Sequence, residues 1–434
     1  MTRPSATRSE AVFEDFKHAY GTQQALAEAN RCLYCEDAPC ITACPTSIDI
    51  PEFIRKIATG NVKGSARTIF TSNILGMSCA RVCPVETLCV GDCVYNHLDA
   101  PPIQIGKLQR YATDAAYDAG WTFFEAGADT GKSVGLVGAG PASLAAAHEL
   151  RRHGHACTIY EKRDVLGGLN STGVAPYKMK ADRSLDEVEW VLGIGGIDVQ
   201  TGVEVGAALG LDELESRHDA VFFGAGLGLD RHLSVPGADL GGVYGAVDWI
   251  ERMKLGEVDL AGVTSAAVIG GGNTALDAVR ELIGLGVPSV TMIYRGDEAG
   301  MSGYTHEWAE AKKEGARAAW RSQPVAYEGD GAVRTVRCAV LDEAKKPVPG
   351  EEVVLGAQLV LLAIGQGKLG GMLDGLDGIT IEWGRVVTDE DGATGRPGWY
   401  AGGDAANGGK EVVNAAAEGK RAANAIHTYL EGQG

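Results

Sequence analysis

The spacing of apolar and polar positions changes partway along the chain. Residues 11–120 show helix-like apolar periodicity in the segments 13–30, 51–60 and 105–119, which are separated by loops that contain cysteines. A polar, glycine-containing link at 129–132 follows, and strand-like and helix-like segments then alternate to the C-terminus. The pattern predicts an α-helical domain followed by α/β domains.

The first α/β segment reads as a strand, a glycine-rich turn and a helix. Gly138 and Gly140 follow the strand, an apolar helix spans 144–153, and a second strand ends at Glu161. Glycines at such a turn let the backbone approach a pyrophosphate at the helix N-terminus, and the acid can hold a ribose hydroxyl. Ser143 stands in place of a third glycine. Glycine-rich loops often serve packing alone, but strand, helix and acid in this order predict a Rossmann-like dinucleotide site.

The same arrangement returns later in the chain. A strand, a glycine-rich turn and the helix 276–283 are followed by the strand 289–294. Ala275 takes the place of the third glycine and is small enough for close packing of helix and strand. This unit predicts a second dinucleotide site, for NAD(P)H, with the turn residues Gly270, Gly272, Asn273 and Thr274.

The two units differ at the end of their second strand, where Arg295 occupies the place of Glu161. An arginine there can contact the 2′-phosphate of NADP. Gly296, Asp297 and Glu298 follow at once, however, and the two acids would repel that phosphate. In a plainer interpretation Arg295 only stacks on adenine or contacts solvent. The run favours NADH over NADPH.

The C-terminal part contains a buried strand at 359–364, followed by a tight turn with Gly365 and Gln366 that we assign to the NAD(P)H site. A strand that ends near Asp404 then precedes a glycine-rich loop and the helix 412–430. An acid in this position can accept hydroxyls of a flavin's ribityl chain, while the helix N-terminus offers amides to the flavin's pyrimidine oxygens. Taken alone, Asp404 is equally well explained as a helix cap.

Composition limits the classes of function. The 434 residues are 45% apolar and 22% charged, which is ordinary for a globular protein of two or three domains. A formal net charge of -18 argues against binding to nucleic acid or to anionic membrane surfaces, and favours solubility and a basic patch on a partner. No apolar run approaches the length of a membrane-spanning helix and the N-terminal tail is polar, so we expect a cytoplasmic protein.

Eight of the ten cysteines lie in two runs in the N-terminal region. Two four-iron clusters need four ligands each, and this supply matches. In the similar run of bacterial ferredoxins the cysteine before proline binds the other cluster of a pair, so we do not expect Cys44 to join the first three. The runs are Cys32, Cys35, Cys40 and Cys44, then Cys79, Cys83, Cys89 and Cys93.

Zinc and disulfides are the competing explanations for these cysteines. Structural zinc sites usually have two Cys-x2-Cys pairs, and the runs contain only one. Disulfides need an oxidising compartment, and no apolar signal segment precedes the runs. Iron–sulfur clusters are therefore favoured. The remaining cysteines, Cys157 and Cys338, lie alone in apolar stretches and are predicted to be small core residues.

From residue 31 to residue 430 the sequence resembles the electron-input half of dihydropyrimidine dehydrogenases and, less closely, the related small chains of glutamate synthases. The most specific stretches are 31–40, 44–50, 73–79, 82–84, 88–93 and 105–109. The resemblance implies two 4Fe-4S clusters, one on Cys32, Cys35, Cys40 and Cys93 and the other on Cys44, Cys83, Cys89 and Gln109. Cys79 is then spare, although spacing alone would have chosen it over Gln109. A neutral amide in place of a thiolate changes the net charge of the cluster.

The resemblance also implies FAD at the first unit and a nicotinamide dinucleotide at the second. Lys178 replaces an arginine of the vertebrate enzyme but remains basic. Gly296 and Ser302 stand where NADP-using members have basic residues, which weakens the case for NADPH. The residues implied near FAD are Gly138, Gly140, Ser143, Glu161, Gly168, Lys178 and Asp404.

The function implied by the resemblance is that of an electron-input subunit in a heteromer. NADH would reduce FAD, and electrons would pass through two 4Fe-4S clusters to an FMN-containing partner that interconverts uracil or thymine and their 5,6-dihydro forms. The full-length enzyme continues into an FMN barrel, which this sequence lacks. We nominate no side chain as a general acid or base, because the cofactors supply the chemistry. The expected domains are a helical cluster domain at 1–130, an FAD domain at 131–228 and 365–434, and an NAD(P)H domain at 229–364.

Other functions stay open at this point. A glutamate synthase small chain would feed a large amidotransferase subunit, and part of a bifurcating transhydrogenase would reduce ferredoxin. A non-enzymatic scaffold would hold clusters only for structure, which the two dinucleotide units disfavour.

Overall fold

The structure is a computed structural model that describes residues 3–5, 7–367, 369, 371–373 and 375–433. Its N-terminal region is helical, with short 3₁₀ turns at Ser9–Val12, Val85–Thr87 and Val94–His97. The α-helices of this region are α1 (Thr22–Ala29), α2 (Pro39–Thr42), α3 (Ile50–Ala58), α4 (Val62–Ser72), α5 (Gly76–Val82) and α6 (Ile105–Asp118).

The rest of the described chain alternates strands and helices. The helices are α7 (Pro141–Arg152), α8 (Leu169–Thr172), α9 (Ala181–Leu192), α10 (Leu211–Arg217), α11 (Ala246–Leu255), α12 (Asn273–Gly284), α13 (Thr305–Glu314), α14 (Asp404–Asn407) and α15 (Val412–Glu431). The strands are β1 (Ser133–Val137), β2 (Ala156–Glu161), β3 (Ile197–Thr201), β4 (Ala220–Phe223), β5 (Val243–Gly245), β6 (Ser265–Ile269), β7 (Ser289–Tyr294), β8 (Arg317–Trp320), β9 (Ser322–Glu328), β10 (Thr335–Leu341), β11 (Pro347–Gly356), β12 (Leu359–Leu362), β13 (Ile381–Glu382), β14 (Arg385–Val386) and β15 (Trp399–Ala401).

Helix α3 shows how the local sequence sets these elements. The side chain of Asp49 accepts a hydrogen bond from the backbone N–H of Glu52, and Pro51 occupies the first turn, where its missing N–H is not needed. Apolar residues at helical spacing, among them Phe53 and Ile57, are fully buried. The helix therefore begins at its cap and packs one face into the N-terminal core.

Only the second half of the predicted helical segment 13–30 is helical. The helix begins after Gly21, and the preceding residues run across the domains. Phe13 is buried against the core beside α12, and the backbone N–H of Phe16 donates to the carbonyl oxygen of Tyr177 at 2.7 Å. Contacts with distant parts of the chain have replaced the helix that local periodicity predicted.

Two parallel five-stranded sheets form the α/β part. The first has the order β15-β4-β1-β2-β3, and the second has the order β5-β12-β6-β7-β8. The chain leaves the first sheet after β4, builds the second sheet and the antiparallel strands β9, β10 and β11, and returns to the first sheet with β15. Helices preceding two Rossmann-like units confirm the predicted fold class.

The last helix, α15, closes the first α/β unit. At Gly419 an added Cβ would lie 2.0 Å from the carbonyl oxygen of Ala142, so α15 and α7 touch through their backbones. The segment after β15 is thereby held over the start of α7, next to the glycine-rich turn. In the described part of the chain, no helix has the length and apolar content needed to cross a membrane.

Candidate cofactor sites

Four cysteines line one cavity in the N-terminal region. Cys32 and Cys35 lie in the loop before α2, Cys40 lies on α2, and Cys93 directly precedes the turn Val94–His97. The structure thus brings together the four residues predicted for the first cluster. The cavity has mostly apolar walls, to which Ile50, Ile54, Ile103 and Ile105 contribute.

Two thiols of this cavity, those of Cys32 and Cys40, have pKa values raised by burial, which favours their neutral form. Burial raises the pKa of the Cys40 thiol to about 12, and the neighbouring Cys32 and Cys93 add to the rise. Cluster ligands are thiolates, so iron binding must release protons here. Apolar walls and four cysteines on one cavity fit a 4Fe-4S cluster, which four thiolates hold.

The second group of cysteines is more deeply buried and lies around the end of α5. The pKa of Cys83 is raised well above its ordinary value by a hydrogen bond with Cys79, by burial, and by the nearby Cys89 and Cys44. Burial raises the pKa of Cys89 to about 12, and Cys44 and Cys40 contribute further. Because Cys40 belongs to the first group, the two groups are neighbours.

Gln109 is the predicted amide ligand of the second cluster. It lies buried on α6, and its Nε2 donates a hydrogen bond of 2.7 Å to the carbonyl oxygen of Gly76 on α5. The amide oxygen Oε1 is the atom that can accept, so it is the atom fit to bind iron. Both Gln109 and Cys79 are thus tied to α5, and the choice between them stays a prediction.

The spacing of the cysteines differs from that of a single-ion site. Among the described residues, no three or more histidine, cysteine or acidic side chains converge as the ligands of one metal ion do. A four-iron cluster places its thiolates on separate irons and needs them farther apart.

The turn after β1 has an open face at the start of α7. Gly138 has a φ of 85°, and an added Cβ would lie 2.8 Å from the carbonyl oxygen of Gly224. Gly140, the N-cap of α7, has no heavy atom within 4 Å of an added Cβ, while Gly168 lies against it, with an added Cβ 2.9 Å from the Gly140 Cα. Ser143 is fully buried and packs beside Gly224 instead of facing the opening. The open backbone around Gly140 fits a pyrophosphate.

Glu161 stands at the end of β2, next to this turn. It is buried, and its Oε2 accepts a hydrogen bond from the backbone N–H of Ala139 at 2.8 Å. Its Oε1 accepts from the N–H of Arg163 at 2.9 Å. A carboxylate oxygen can accept two hydrogen bonds, so Glu161 retains capacity for a ribose hydroxyl.

Lys178 and Asp404 lie where the two α/β units meet. Lys178 is buried between Asp277 and Glu307, at 2.9 and 2.8 Å, and although burial lowers its pKa, these two carboxylates raise it above the ordinary value. Burial raises the pKa of Asp404 to about 6, and the acids Glu418 and Glu411 add to it. Lys178 therefore contacts side chains of the second unit, while Asp404 remains beside the first.

The turn after β6 is crossed by the segment 302–304. Gly270 has a φ of 144°, and an added Cβ would lie 2.2 Å from the carbonyl oxygen of Ala363, just after β12. Gly272, the N-cap of α12, has only the Ser302 hydroxyl at 3.6 Å from an added Cβ. The side chain of Asn273 accepts from the N–H of Tyr304 at 3.0 Å.

The other predicted residues of this site are less engaged. Thr274 is exposed on the first turn of α12. Gly365 has a φ of 93°, and Gln366 donates to the carbonyl oxygen of Gly228 at 3.2 Å. The Gly365–Gln366 turn thus follows β12 and joins the link between the two sheets.

Arg295 is exposed at the end of β7, and the acids that follow it are paired with other bases. Asp297 lies 3.4 Å from Arg321, and Glu298 lies 2.7 Å from Lys312. Acids that are already paired repel a phosphate less than free acids. The run after β7 is therefore a weaker barrier to NADPH than the sequence alone indicates.

Some residues of the site region were not found from the sequence. Tyr304 donates a hydrogen bond of 2.9 Å to Glu411, the N-cap of α15, and so joins the two units. Glu187 on α9 is completely buried against α5. No motif marks either residue, because their partners lie far away in the sequence. The predicted burial of Cys157 and Cys338 is confirmed.

Two protein-family models match the chain. The model for dihydropyrimidine dehydrogenase domain II, 4Fe-4S cluster, matches residues 8–121. The model for pyridine nucleotide-disulphide oxidoreductase matches residues 132–419. Together they cover the region of the cysteines and both glycine-rich turns.

Two curated relatives are similar over nearly the whole chain. The NAD-dependent dihydropyrimidine dehydrogenase subunit PreT of Escherichia coli (strain K12) is 34% identical over 423 residues, which are 96% of this chain and 97% of the relative. The glutamate synthase [NADPH] small chain of Azospirillum brasilense is 32% identical over 454 aligned residues, covering 99% of this chain and 94% of the relative.

Solved structures are similar in fold. FprA from Mycobacterium tuberculosis in complex with NADPH has a TM-score of 0.56 and 21% identity, covering 69% of this chain and 85% of that chain. Thioredoxin reductase from Lactococcus lactis has a TM-score of 0.54 and 22% identity, covering 69% of this chain and 99% of that chain.

Proposed function

We propose that this chain, which belongs to the pyridine nucleotide-disulphide oxidoreductase family together with the PreT subunits and glutamate synthase small chains, is the electron-input subunit of an NAD-dependent dihydropyrimidine dehydrogenase. The broader activity is shown by these relatives: the protein is an NAD(P)H-dependent oxidoreductase with FAD and 4Fe-4S clusters. The partner, the pyrimidine substrate and a cytoplasmic location belong to the proposal.

When bound, the cofactors would supply the redox chemistry, which is hydride acceptance from NADH and single-electron transfer to an FMN-containing partner that interconverts uracil or thymine and their 5,6-dihydro forms. The residues of this chain bind the cofactors, orient them and exclude water. Glu161 and the amides around Gly140 would hold FAD, and the turn after β6 would hold NADH. No side chain acts as a general acid or base in this proposal.

One observation carries the proposal: the FAD turn is joined to the cluster region by direct polar contacts. The N–H of Gly167 donates to the carbonyl oxygen of Ala139 in the turn at 2.9 Å. Three residues further along, Nδ2 of Asn170 donates to the hydroxyl of Ser78 on α5 at 2.9 Å. Since α5 ends directly before Cys83, these contacts connect the FAD turn through the protein to a predicted ligand of the second cluster, as an electron-input chain requires.

The proposed ligand sets are those that the resemblance implies. Cys32, Cys35, Cys40 and Cys93 hold the first cluster, which their shared cavity supports. Cys44, Cys83, Cys89 and Gln109 hold the second, with Cys79 spare. The first cluster lies nearer the surface, because three of its cysteines are partly exposed, whereas Cys83 and Cys89 are buried. We place the outlet to the partner at the first cluster.

NADH is the proposed donor. Gly296 and Ser302 provide no charge for a 2′-phosphate, and Arg295 is the basic side chain directly after β7. The pairing of Asp297 and Glu298 with nearby bases reduces their repulsion, so we expect a moderate preference for NADH.

A glutamate synthase small chain is the second candidate. The Azospirillum relative covers 99% of this chain at 32% identity, close to the value for PreT. In that case the clusters would deliver electrons to a large glutamate-forming subunit.

Reconstitution with partner subunits tests the proposal. The anaerobically purified chain should contain about eight irons and one FAD, should oxidise NADH with artificial dyes, and should leave uracil unchanged. Adding an FMN-containing pyrimidine-reducing subunit should confer NADH-dependent reduction of uracil. A chain that stimulates only a large glutamate synthase subunit would replace the proposal by the second candidate, and a zinc-containing chain without iron would refute both.

A further inference from the structure

Glu187 is a fully buried carboxylate that the proposed cofactor contacts leave unexplained. It projects from α9 in the FAD-binding unit and reaches α5 in the cluster region. Its Oε1 accepts hydrogen bonds from the backbone N–H groups of Met77 and Ser78, at 3.0 and 3.1 Å. Its Oε2 accepts from the Ser78 hydroxyl. Three donors on one short stretch of α5 therefore fix this side chain.

The same stretch holds Gln109 from its other side. The Nε2 of Gln109 donates to the carbonyl oxygen of Gly76 at 2.7 Å. That carbonyl and the N–H of Met77 belong to one peptide group, the link between Gly76 and Met77. A planar peptide bonded at its N–H to Glu187 and at its C=O to Gln109 forms one hydrogen-bonded chain, in which each bond polarises the next.

This chain decides which atom of the Gln109 amide is free. While the carbonyl of Gly76 engages Nε2, the oxygen Oε1 is left to face another partner. A rotated amide would present its NH2 group, which has no lone pair to offer to iron. The orientation of the amide is therefore a condition for its use as a cluster ligand.

We propose that Glu187 is a positioning residue that holds the Gly76–Met77 peptide and thereby keeps the Gln109 amide oriented as a ligand of the second cluster. The proposal rests on the ligand set given under the proposed function. Its central point is that a residue of the FAD-binding unit, distant in sequence, controls the ligand of a cluster in the helical region.

The burial of Glu187 argues against a simple capping role. Burial raises the pKa of Glu187 to about 7, against the three hydrogen bonds from Met77 and Ser78 that lower it. A surface cap would provide the same bonds without this desolvation cost. Asn170 also donates a hydrogen bond to the Ser78 hydroxyl. This bond connects α5 to the segment that lies beside Gly140.

The test compares two substitutions on one helix in the full, cofactor-loaded chain. Glu187→Gln keeps the shape of the side chain but weakens its hold on the N–H groups of Met77 and Ser78. Glu189→Gln makes the same chemical change two residues away, at an exposed side chain that pairs with Arg3. The midpoint potential of each cluster is measured by EPR in anaerobic titrations with low-potential mediators, together with iron and FAD content.

We expect Glu187→Gln to change one cluster only, the one that Gln109→Ala also changes. The shift should correspond to at least tenfold in the reduction equilibrium, which is 59 mV for one electron. Glu189→Gln should leave both clusters at their wild-type potentials. In the Gln109→Ala background, Glu187→Gln should add little, because no amide remains to be positioned.

Three results would overturn the inference. Glu187→Gln could leave both potentials unchanged, or its shift could be equally large with and without Gln109, which would indicate a direct effect of charge. If Cys79→Ser removed a cluster and Gln109→Ala did not, the ligand set would fail and the inference with it, whereas reduction of FAD by NADH would still support electron input. Should Glu187→Gln not fold, Ser78→Ala decides: a changed signal of the Gln109 cluster supports the inference, and an unchanged one refutes it.

Discussion

The two glycine-rich turns share one design and differ in what surrounds them. In each turn the first glycine is required by the protein itself: Gly138 and Gly270 have positive φ values, and an added Cβ would strike a carbonyl oxygen. The second glycine is not. Gly140 and Gly272 have φ values of −78° and −96°, and an added Cβ would meet no atom closer than 3.6 Å. No contact within the protein requires these two glycines, and the open backbone at each turn leaves room for a dinucleotide phosphate.

The surroundings indicate different uses of the two turns. Glu161 is buried and accepts a hydrogen bond from the N–H of Ala139 in the first turn, so contacts within the protein hold this acid in place. At the second turn Arg295 is exposed, and Ser302 lies across the glycines by way of a weak 3.4 Å bond to the Gly271 carbonyl oxygen. The first turn suits a resident FAD, and the second suits a nicotinamide dinucleotide that binds and leaves.

Valine substitutions at Gly140 and Gly272 should have the largest effects and test which cofactor each turn binds. Gly140→Val should yield folded protein with almost no FAD, because the side chain fills the space for the pyrophosphate. Gly272→Val should retain FAD but bind NADH about 100-fold more weakly or worse. Flavin absorbance of the purified variants and the dependence of flavin reduction on NADH concentration provide the two measurements.

Gly210→Val is the matched control for both valine variants. Gly210 is also an N-cap glycine with negative φ and nothing within 4 Å of an added Cβ, but it precedes α10 and belongs to neither glycine-rich turn. It should change neither FAD content nor NADH binding. Loss of FAD in Gly272→Val, together with retained FAD and weakened NADH binding in Gly140→Val, would reverse the assignment of the turns.

The preference for NADH over NADPH provides a second test of the second turn. Asp297→Arg removes an acid that pairs with Arg321 and adds a base beside Arg295. It should shift the preference toward NADPH by about tenfold, since a 2′-phosphate gains charge-assisted hydrogen bonds. The rates of flavin reduction at limiting NADH and limiting NADPH give the ratio.

Glu310→Arg, at a partly exposed acid of α13 that pairs with Lys313, makes the same change of charge outside the turn and should not shift the ratio. A wild-type protein that already prefers NADPH tenfold would contradict the proposed NADH preference. Arg295 would then be the deciding residue.

The smallest expected effect is a change in stability with pH that depends on Asp404, beside the first turn. Its pKa rises from 3.8 in the unfolded chain to about 6, so the folded protein binds this proton more tightly and loses stability as the pH rises from about 4 to about 6. In FAD-free protein, Asp404→Asn should therefore be more stable than wild type at pH 8, by roughly 1–2 kcal/mol, and similar to it near pH 4. Urea unfolding at both pH values checks this, and a variant that is less stable at pH 8 would contradict it.

Much of the fold follows from local patterns. The strand predicted at 289–294 is β7, and the helix predicted at 412–430 is α15 with one residue added. The segment 13–21 is not helical, because Phe13 and Phe16 bond and pack to distant parts of the chain. Periodicity within a segment contains no information about such contacts.

The parts of the candidate site that depend on the spacing of residues within a short motif were predictable. The four cysteines of the first group share a cavity, as the resemblance implies, and both turns have the open glycine that their motifs predict. The contact of Lys178 with Asp277 was not predictable, and neither was the link from Glu187 to Gln109, since these partners come from separate domains. Such contacts depend on how the domains pack.

The route of the electrons is tested most directly by following the flavin after NADH has reduced it, with the FMN-containing partner and uracil present under anaerobic conditions. The flavin of the wild-type protein should be reoxidised, and one dihydrouracil should form for each NADH consumed. Cys89→Ser removes a buried ligand proposed for the second cluster. NADH should reduce the flavin of this variant at the wild-type rate, but the partner should not reoxidise it. Uracil reduction at the wild-type rate by Cys89→Ser would show that electrons bypass the clusters and would contradict the account.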